Sequence, residues 1–322
     1  MLTWRAKQLE VGSEETDSLS DDFASIASTI PNYVYENGRR YHSYHSDQYL
    51  LPNDEREQER LDFLHHVFRL TLDGDLCYTE LDNPQRILDI GTGTVATMFP
   101  STEVIGTDLS PIQSGAAPQN VEFIVDDALE EWSFPEASFD FIHLRALGGS
   151  IPDWPSLLKQ CFRALKPGGR IEVSEARSRF CCDDDTIPED SCTKQWMDEF
   201  KRNCERFQVD FDVFPNFNGW IREAGFAEVE EIEKVVPIGT WPKDRRLKMR
   251  GRFFALQVLD LALDSYSPAL FCRGGGWSEE EMRSLLEGMK REIKSNKLHL
   301  YTHLFVLPLI YFSRHGYSRW SR

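Results

Sequence analysis

The chain lacks several features that would have narrowed its class at once. No apolar run approaches the ~20 residues that a membrane helix needs; the longest late one, Leu304 to Phe312, contains Pro308 and reads as a strand or core segment. The N-terminal stretch MLTWRAKQLEVGSEETDSLSDD has no apolar signal-peptide core. Basic residues are scarce: 36 Lys and Arg against 53 Asp and Glu leave a formal net charge of −17. That balance argues against a nucleic-acid binder that neutralises phosphates and against a protein held on anionic lipid. It favours small-molecule or protein partners. No C-x-x-C pair occurs among the seven cysteines, so no metal centre is expected. Their odd number and the adjacent Cys181 and Cys182 suit reduced thiols in a cytoplasmic or nuclear protein. Internal repeats and low-complexity tracts are absent too.

The 322 residues have room for two domains or one elaborated α/β domain, and a 41% hydrophobic fraction can bury a core. Residues 1–28 are acidic and Ser-rich, a disordered lead. An aromatic and polar block follows from Tyr33. Its second half places Leu61, Leu64, Val67 (or Phe68) and Leu72 at helical steps behind an Asn53 or Asp54 cap. Residues 29–80 therefore read as a helical N-terminal lid, and 81–322 as one sheet domain. Within it, short apolar runs alternate with helices: 86–90, 103–108, 121–125, 139–144 and 170–174 as strands, and 156–165 as a helix before a KPGG turn. That rhythm describes a parallel sheet covered on both faces. Past 175, residues 194–207 and 216–224 are helical and 228–238 strand-like. Two amphipathic helices, 245–264 and 278–295, flank a GGG hinge in a helical insertion at about 240–295.

Chemistry concentrates in Leu88-Asp89-Ile90-Gly91-Thr92-Gly93-Thr94. Glycines at alternate positions after a buried strand let backbone approach a ligand at the carboxyl edge of a sheet. Asp89 just ahead of them would meet a cationic or amide group. Asp108, 19 residues on at the end of the next strand, can accept from both ribose hydroxyls of a nucleoside. Asp126 and Asp127 end the third strand, where an adenine edge would lie. Taken alone, GTGTVA also satisfies the dinucleotide pattern G-x-G-x-x-A and keeps a nicotinamide dehydrogenase open. A dinucleotide site has no use for Asp89, Asp126 or Asp127.

The acid-Gly-x-Gly strand, the later strand-end acids and LKPGGR at 165–170 together resemble a class I S-adenosylmethionine-dependent methyltransferase. The resemblance sharpens to the fungal LaeA-like (TAM-domain) methyltransferases in NGRRYHSY at 37–44, YLLPND at 49–54, IGTDLSPIQ at 105–113, SFDFIHLR at 138–145, DWPSLLKQ at 153–160, WPKD at 241–244 and GWSEEE at 276–281. It runs from about residue 30 to about 303. It implies an α/β, Rossmann-like fold: a seven-stranded, mostly parallel sheet with helices on both faces and a late hairpin. The cofactor it implies is S-adenosyl-L-methionine, with Asp89, Gly91 and Gly93 at the methionine end, Asp108 at the ribose and Asp126 with Asp127 at the adenine. Tyr41, Tyr44 and Tyr49 fall in the lid segment. His143 and Arg145 follow the fourth strand beside sulfonium and substrate, His143 as a candidate base or a packed, hydrogen-bonded residue, and Arg145 to steer an acidic substrate or pair with a nearby acid.

The implied function is methylation of a small molecule in fungal secondary metabolism. The alternative is a methyltransferase-like regulator acting through a protein partner. Two segments depart from the family. Thr94 runs directly into Val95-Ala96-Thr97-Met98-Phe99-Pro100, about six residues short of the usual helix and without its third glycine. Pro308 would remove a hydrogen-bond donor from a strand that is internal in this fold.

Overall fold

The structure, a computed structural model, describes residues 33–42, 50–91, 99–109, 119–226 and 228–311. The acidic lead, Tyr44, Tyr49, Gly93 and the shortened stretch after Thr94 lie outside them.

Asn37 and Gly38 both take positive φ, 50° and 73°. A two-residue turn of that kind matches the twist of flanking strands, and it joins β1 (Tyr33–Glu36) to β2 (Arg39–His42) in antiparallel register. The lid thus opens with a hairpin where the sequence reading had only helix. Helix α1 (Glu55–Thr71) follows, capped by Asp54, whose side chain accepts from the Glu57 amide at 3.0 Å. It buries Leu64, Val67 and Phe68, while Leu61 turns outward.

The sheet is built on β3 (Arg86–Ile90), β4 (Glu103–Asp108), β5 (Val121–Val125), β6 (Phe139–Arg145) and β7 (Leu165–Ala176), all parallel, in the order β5-β4-β3-β6-β7. β10 (Tyr301–Ile310) lies antiparallel beside β7, and β8 (Glu228–Val229) and β9 (Ile232–Pro237) both pair with β10. β8 and β9 occupy one strand position: Leu309 opposite Val229 and Val306 opposite Ile232 keep a single register across the gap. Pro308 explains that gap. Its carbonyl accepts from the Glu230 amide at 3.5 Å, and proline has no N–H to return the bond. The sheet therefore has seven positions, and its internal proline is absorbed by an interruption in the edge strand.

KPGG at 166–169 is not a turn ahead of the fifth strand. β7 begins at Leu165, and the register against β6 shifts between Phe139, opposite Leu165, and Phe141, opposite Arg170. The segment is a wide bulge held at Gly168 and Gly169 by two backbone bonds to Tyr311.

Helices α2 (Trp154–Ala164) and α4 (Phe214–Ala224) share a core with Leu88, Ile142, Leu144, Ile171 and Val173 on one face. The second large core lies at the sheet's carboxyl end and C-terminal side. It joins Tyr41 of the hairpin and α1 to α3 (Cys192–Phe207), to α5 (Arg245–Gln257) and α6 (Leu263–Ser267), and to α7 (Glu279–Lys294). The first insertion helix does not stop near 264. Wide π-type segments, Val258–Ala262 and Pro268–Gly274, carry it on, and such a segment tolerates the donor missing at Pro268.

Candidate active site at the carboxyl ends of the strands

Parallel pairing sets Gly106, Asp89, His143 and Glu172 in one row across β4, β3, β6 and β7. In-register neighbours on a pleated sheet share a face. Asp89 and His143 are buried and joined, Oδ1 to Nδ1, at 2.8 Å. Glu172, fully buried, accepts from the Tyr78 amide (3.0 and 3.1 Å), from the Thr79 amide and hydroxyl (both 2.7 Å), and from Ser174 Oγ at 3.3 Å.

Arg145, two residues beyond His143, shares this face. Its guanidinium donates to His65 Nδ1 at 2.7 Å and to the Leu76 carbonyl at 3.3 Å, over the Phe68 ring. Burial pulls the Arg145 pKa down, opposed by Asp89 and Glu172. Burial, reinforced by Arg145, pushes His65 down to about 4, so its ring is neutral and can accept that bond. The layer holds two carboxylates and one guanidinium, each hydrogen-bonded as a low-dielectric interior requires.

This placement bears on both candidate residues that follow the fourth strand. His143 is 1% exposed and bonded to Asp89, which makes it a candidate positioning residue for that carboxylate. Arg145 balances internal acids and does not line the cavity described below.

The strand ends form the candidate cofactor crevice. Gly91 has φ +69°, its amide donates to the Thr107 carbonyl at 2.9 Å, and a Cβ there would collide with Leu147 Cδ2. Asp108 ends β4, and its carbonyl accepts from the Asp126 amide at 3.0 Å. Burial raises the Asp126 carboxyl above its ordinary range, with Asp127 and Glu130 adding to the rise. Asp127 Oδ1 accepts from the Leu129 amide at 2.9 Å, which shapes the turn. Tyr41 is 1% exposed in the lid–insertion core, with Arg273 over its ring, and burial pushes its phenol up to about 12. Tyr44, the other lid tyrosine named with it, lies outside the described residues.

Beyond β6, Ala146 takes φ 56°, an uncommon conformation for a residue with a side chain. It turns the chain into Leu147-Gly148-Gly149, where the two glycines admit the backbone and ring of Phe211. Here a cavity of about 100 Å³ opens, lined from the lid by Arg60 and Leu64, from β7 by Glu175, from α3 by Trp196, and from the insertion by Gln257 and Tyr266. Leu147 lines it too and so divides it from Gly91. Glu175 is 4% exposed and accepts from the Leu147 amide at 2.7 Å and the Gly148 amide at 3.3 Å; burial pushes its carboxyl up to about 8. Sequence reasoning missed Glu175 and Gln257. The acid one residue beyond the strand run at 170–174 was a usable signal for the first; nothing local marks the second.

Among the described residues no cluster of His, Cys, Asp and Glu could hold a metal, and no helix is long and apolar enough to cross a membrane. The fold and strand-end acids define a class I methyltransferase. A family model described as a methyltransferase domain matches residues 56–231. The chain is 38% identical over 299 residues to methyltransferase pytC of Aspergillus terreus, covering 90% of this chain and 91% of that one. It is 33% identical over 288 residues to the secondary metabolism regulator LAE1 of Cochliobolus heterostrophus (85% and 93% covered). It is 31% identical over 280 residues to the protein-methionine methyltransferase laeA of Emericella nidulans (84% and 74% covered). The chain belongs to the LaeA-like family of class I, S-adenosylmethionine-dependent methyltransferases. The dehydrogenase reading of GTGTVA falls.

The residues present fit that cofactor. Asp108 and Asp126 put two linked strand-end acids near Gly91, a chemistry suited to a cationic nucleoside. When bound, the cofactor supplies an electrophilic methyl group, and transfer then depends chiefly on alignment.

Proposed function

We propose that the protein methylates a small molecule of fungal secondary metabolism, held in the cavity between the β7 end, the lid and the insertion. The observation that carries this reading is Leu147. Its side chain covers Gly91 and its amide holds Glu175, so one residue touches both the proposed cofactor crevice and a partly aromatic chamber. Such chambers suit a small acceptor better than an extended polypeptide. Asp108 and Asp126 hold the nucleoside, Asp89 braced by His143 stands at the methionine end, and Gly91 gives the close approach.

Titration with S-adenosylhomocysteine by calorimetry tests the cofactor half: the native protein releases heat and Asp108→Ala releases none at millimolar ligand. No heat from the native protein defeats the reading. Labelled S-adenosylmethionine, offered with a fungal metabolite extract and separately with its protein fraction, tests the substrate half. Label should enter the low-molecular-weight fraction.

The likeness to proteins named as regulators favours a second reading, a methyltransferase-like regulator in cytoplasm or nucleus acting through a protein partner. It expects Asp108→Ala, returned to a strain lacking the gene, to restore metabolite output despite lost cofactor binding.

A further inference from the structure

We propose that the cavity beside Leu147 selects a neutral, single-ring aromatic hydrogen-bond donor, a phenol or aryl amine, whose X–H group is received by the Gln257 amide oxygen and the Glu175 carboxyl. The proposal rests on the small-molecule methyltransferase reading and names its acceptor class.

The walls set the shape. Phe180, Trp196 and Phe200 stack in sequence, with centroids 5.8 and 4.9 Å apart and interplanar angles of 17° and 21°. Tyr266 stands edge-on to Phe200 and to Phe211. All five rings line the cavity. Flat faces and edges of this kind favour a planar ring, and a volume of about 100 Å³ limits the guest to a single small one.

The polar groups set the chemistry. Arg60 is paired with Glu57, Nε to Oε1 at 2.8 Å, and Arg177 with Asp212. Both cations are already matched, so the cavity has no spare positive charge for an anion, and their presence opposes a cationic guest. Gln257 is 2% exposed, and its Oε1 has no hydrogen-bond partner among the described residues. A buried acceptor without a donor carries a desolvation penalty that a donor in the cavity removes. Glu175, protonated below about pH 8, carries one O–H donor and keeps acceptor capacity beyond the two amides it holds. Acceptors are therefore unfilled while cations are saturated, the complement of a neutral donor on an aromatic ring.

Ligand-observed fluorine NMR with para-fluorophenol and para-fluoroanisole tests this. The two probes differ by replacement of the hydroxyl proton with methyl. The native protein should bind the phenol about tenfold more tightly than the ether, the scale of one buried hydrogen bond. Gln257→Met should bring the two within about twofold while leaving the ether's affinity in place. Equal binding of both probes by the native protein overturns the proposal, and that comparison does not depend on a variant folding. An undiminished preference in Gln257→Met also overturns it. Titration of the same sample with S-adenosylhomocysteine separates the two claims. Binding of the nucleoside with neither probe bound overturns the acceptor assignment alone. The phenol preference without nucleoside binding supports the cavity assignment and overturns the methyltransferase reading.

Discussion

Asp89 Oδ1 and His143 Nδ1 meet at 2.8 Å on adjacent parallel strands, both side chains sealed from solvent. The bond fixes the carboxylate that precedes Gly91, and it leaves His143 Nε2 buried without a partner among the described residues. A base that took a proton from an acceptor would need to reach the cavity, and this imidazole does not.

His143→Leu should therefore weaken S-adenosylhomocysteine binding about tenfold, the scale of a hydrogen bond to a charged group. His143→Asn, whose amide can replace the Nδ1 donor, should restore affinity. The pH profile of methyl transfer should be unchanged in the Asn variant. A profile that loses a limb near the ordinary histidine range would restore the base role.

Gly91→Ala meets two obstacles, the left-handed backbone and the Leu147 side chain. Backbone strain alone costs ~1–2 kcal/mol, and the clash adds to it. Urea unfolding should show a loss of about 2–4 kcal/mol. Leu147→Ala in that background should recover the steric part only. Full additivity of the two substitutions would mean that Leu147 does not cover Gly91.

Burial raises the Glu175 carboxyl from the ordinary 4.5 to about 8. The folded protein keeps this proton while the unfolded chain has released it. The stability present below the unfolded value is thus lost as pH rises through the folded one. Relative to Glu175→Gln, the native protein should lose stability between about pH 4.5 and 8 and be level outside that window. Urea titrations across the window check the slope; a rise in relative stability with pH would contradict the buried, uncharged state.

Arg39 grips Asp54 through two bonds, 2.6 and 2.8 Å, and donates to the Asp264 carbonyl at 2.7 Å. Hairpin, α1 cap and insertion are clasped by one guanidinium. Arg39→Ala strands a largely buried acid and should cost ~3–5 kcal/mol. Arg39→Lys should not rescue it, because an ammonium cannot match a planar fork. Limited proteolysis should cut first in the lid of either variant, and protection of the lid would count against the clasp.

Much of the fold was legible because its periodicities are local. The buried run at Arg86–Ile90, the cap at Asp54 and the left-handed stop at Gly225 are all written in a few adjacent residues. The hairpin was legible too, in Asn37-Gly38, and was passed over for the helical pattern that follows it. Pro308 misled in the other direction: its effect falls on Glu230, 78 positions away in sequence, and only pairing across β10 reveals it.

The sequence by itself determined the order of strands and helices, the strand-end acids Asp89, Asp108 and Asp126, and Gly91, because each needs only a strand and the turn after it. Tertiary structure decided what those residues touch. It turned His143 and Arg145 inward, since alternate side chains of β6 share the face that α1 covers. It also brought Glu175 and Gln257, 82 residues apart, to one aromatic cavity beside Leu147. No local pattern encodes that meeting, because it depends on the insertion folding back over the end of β7.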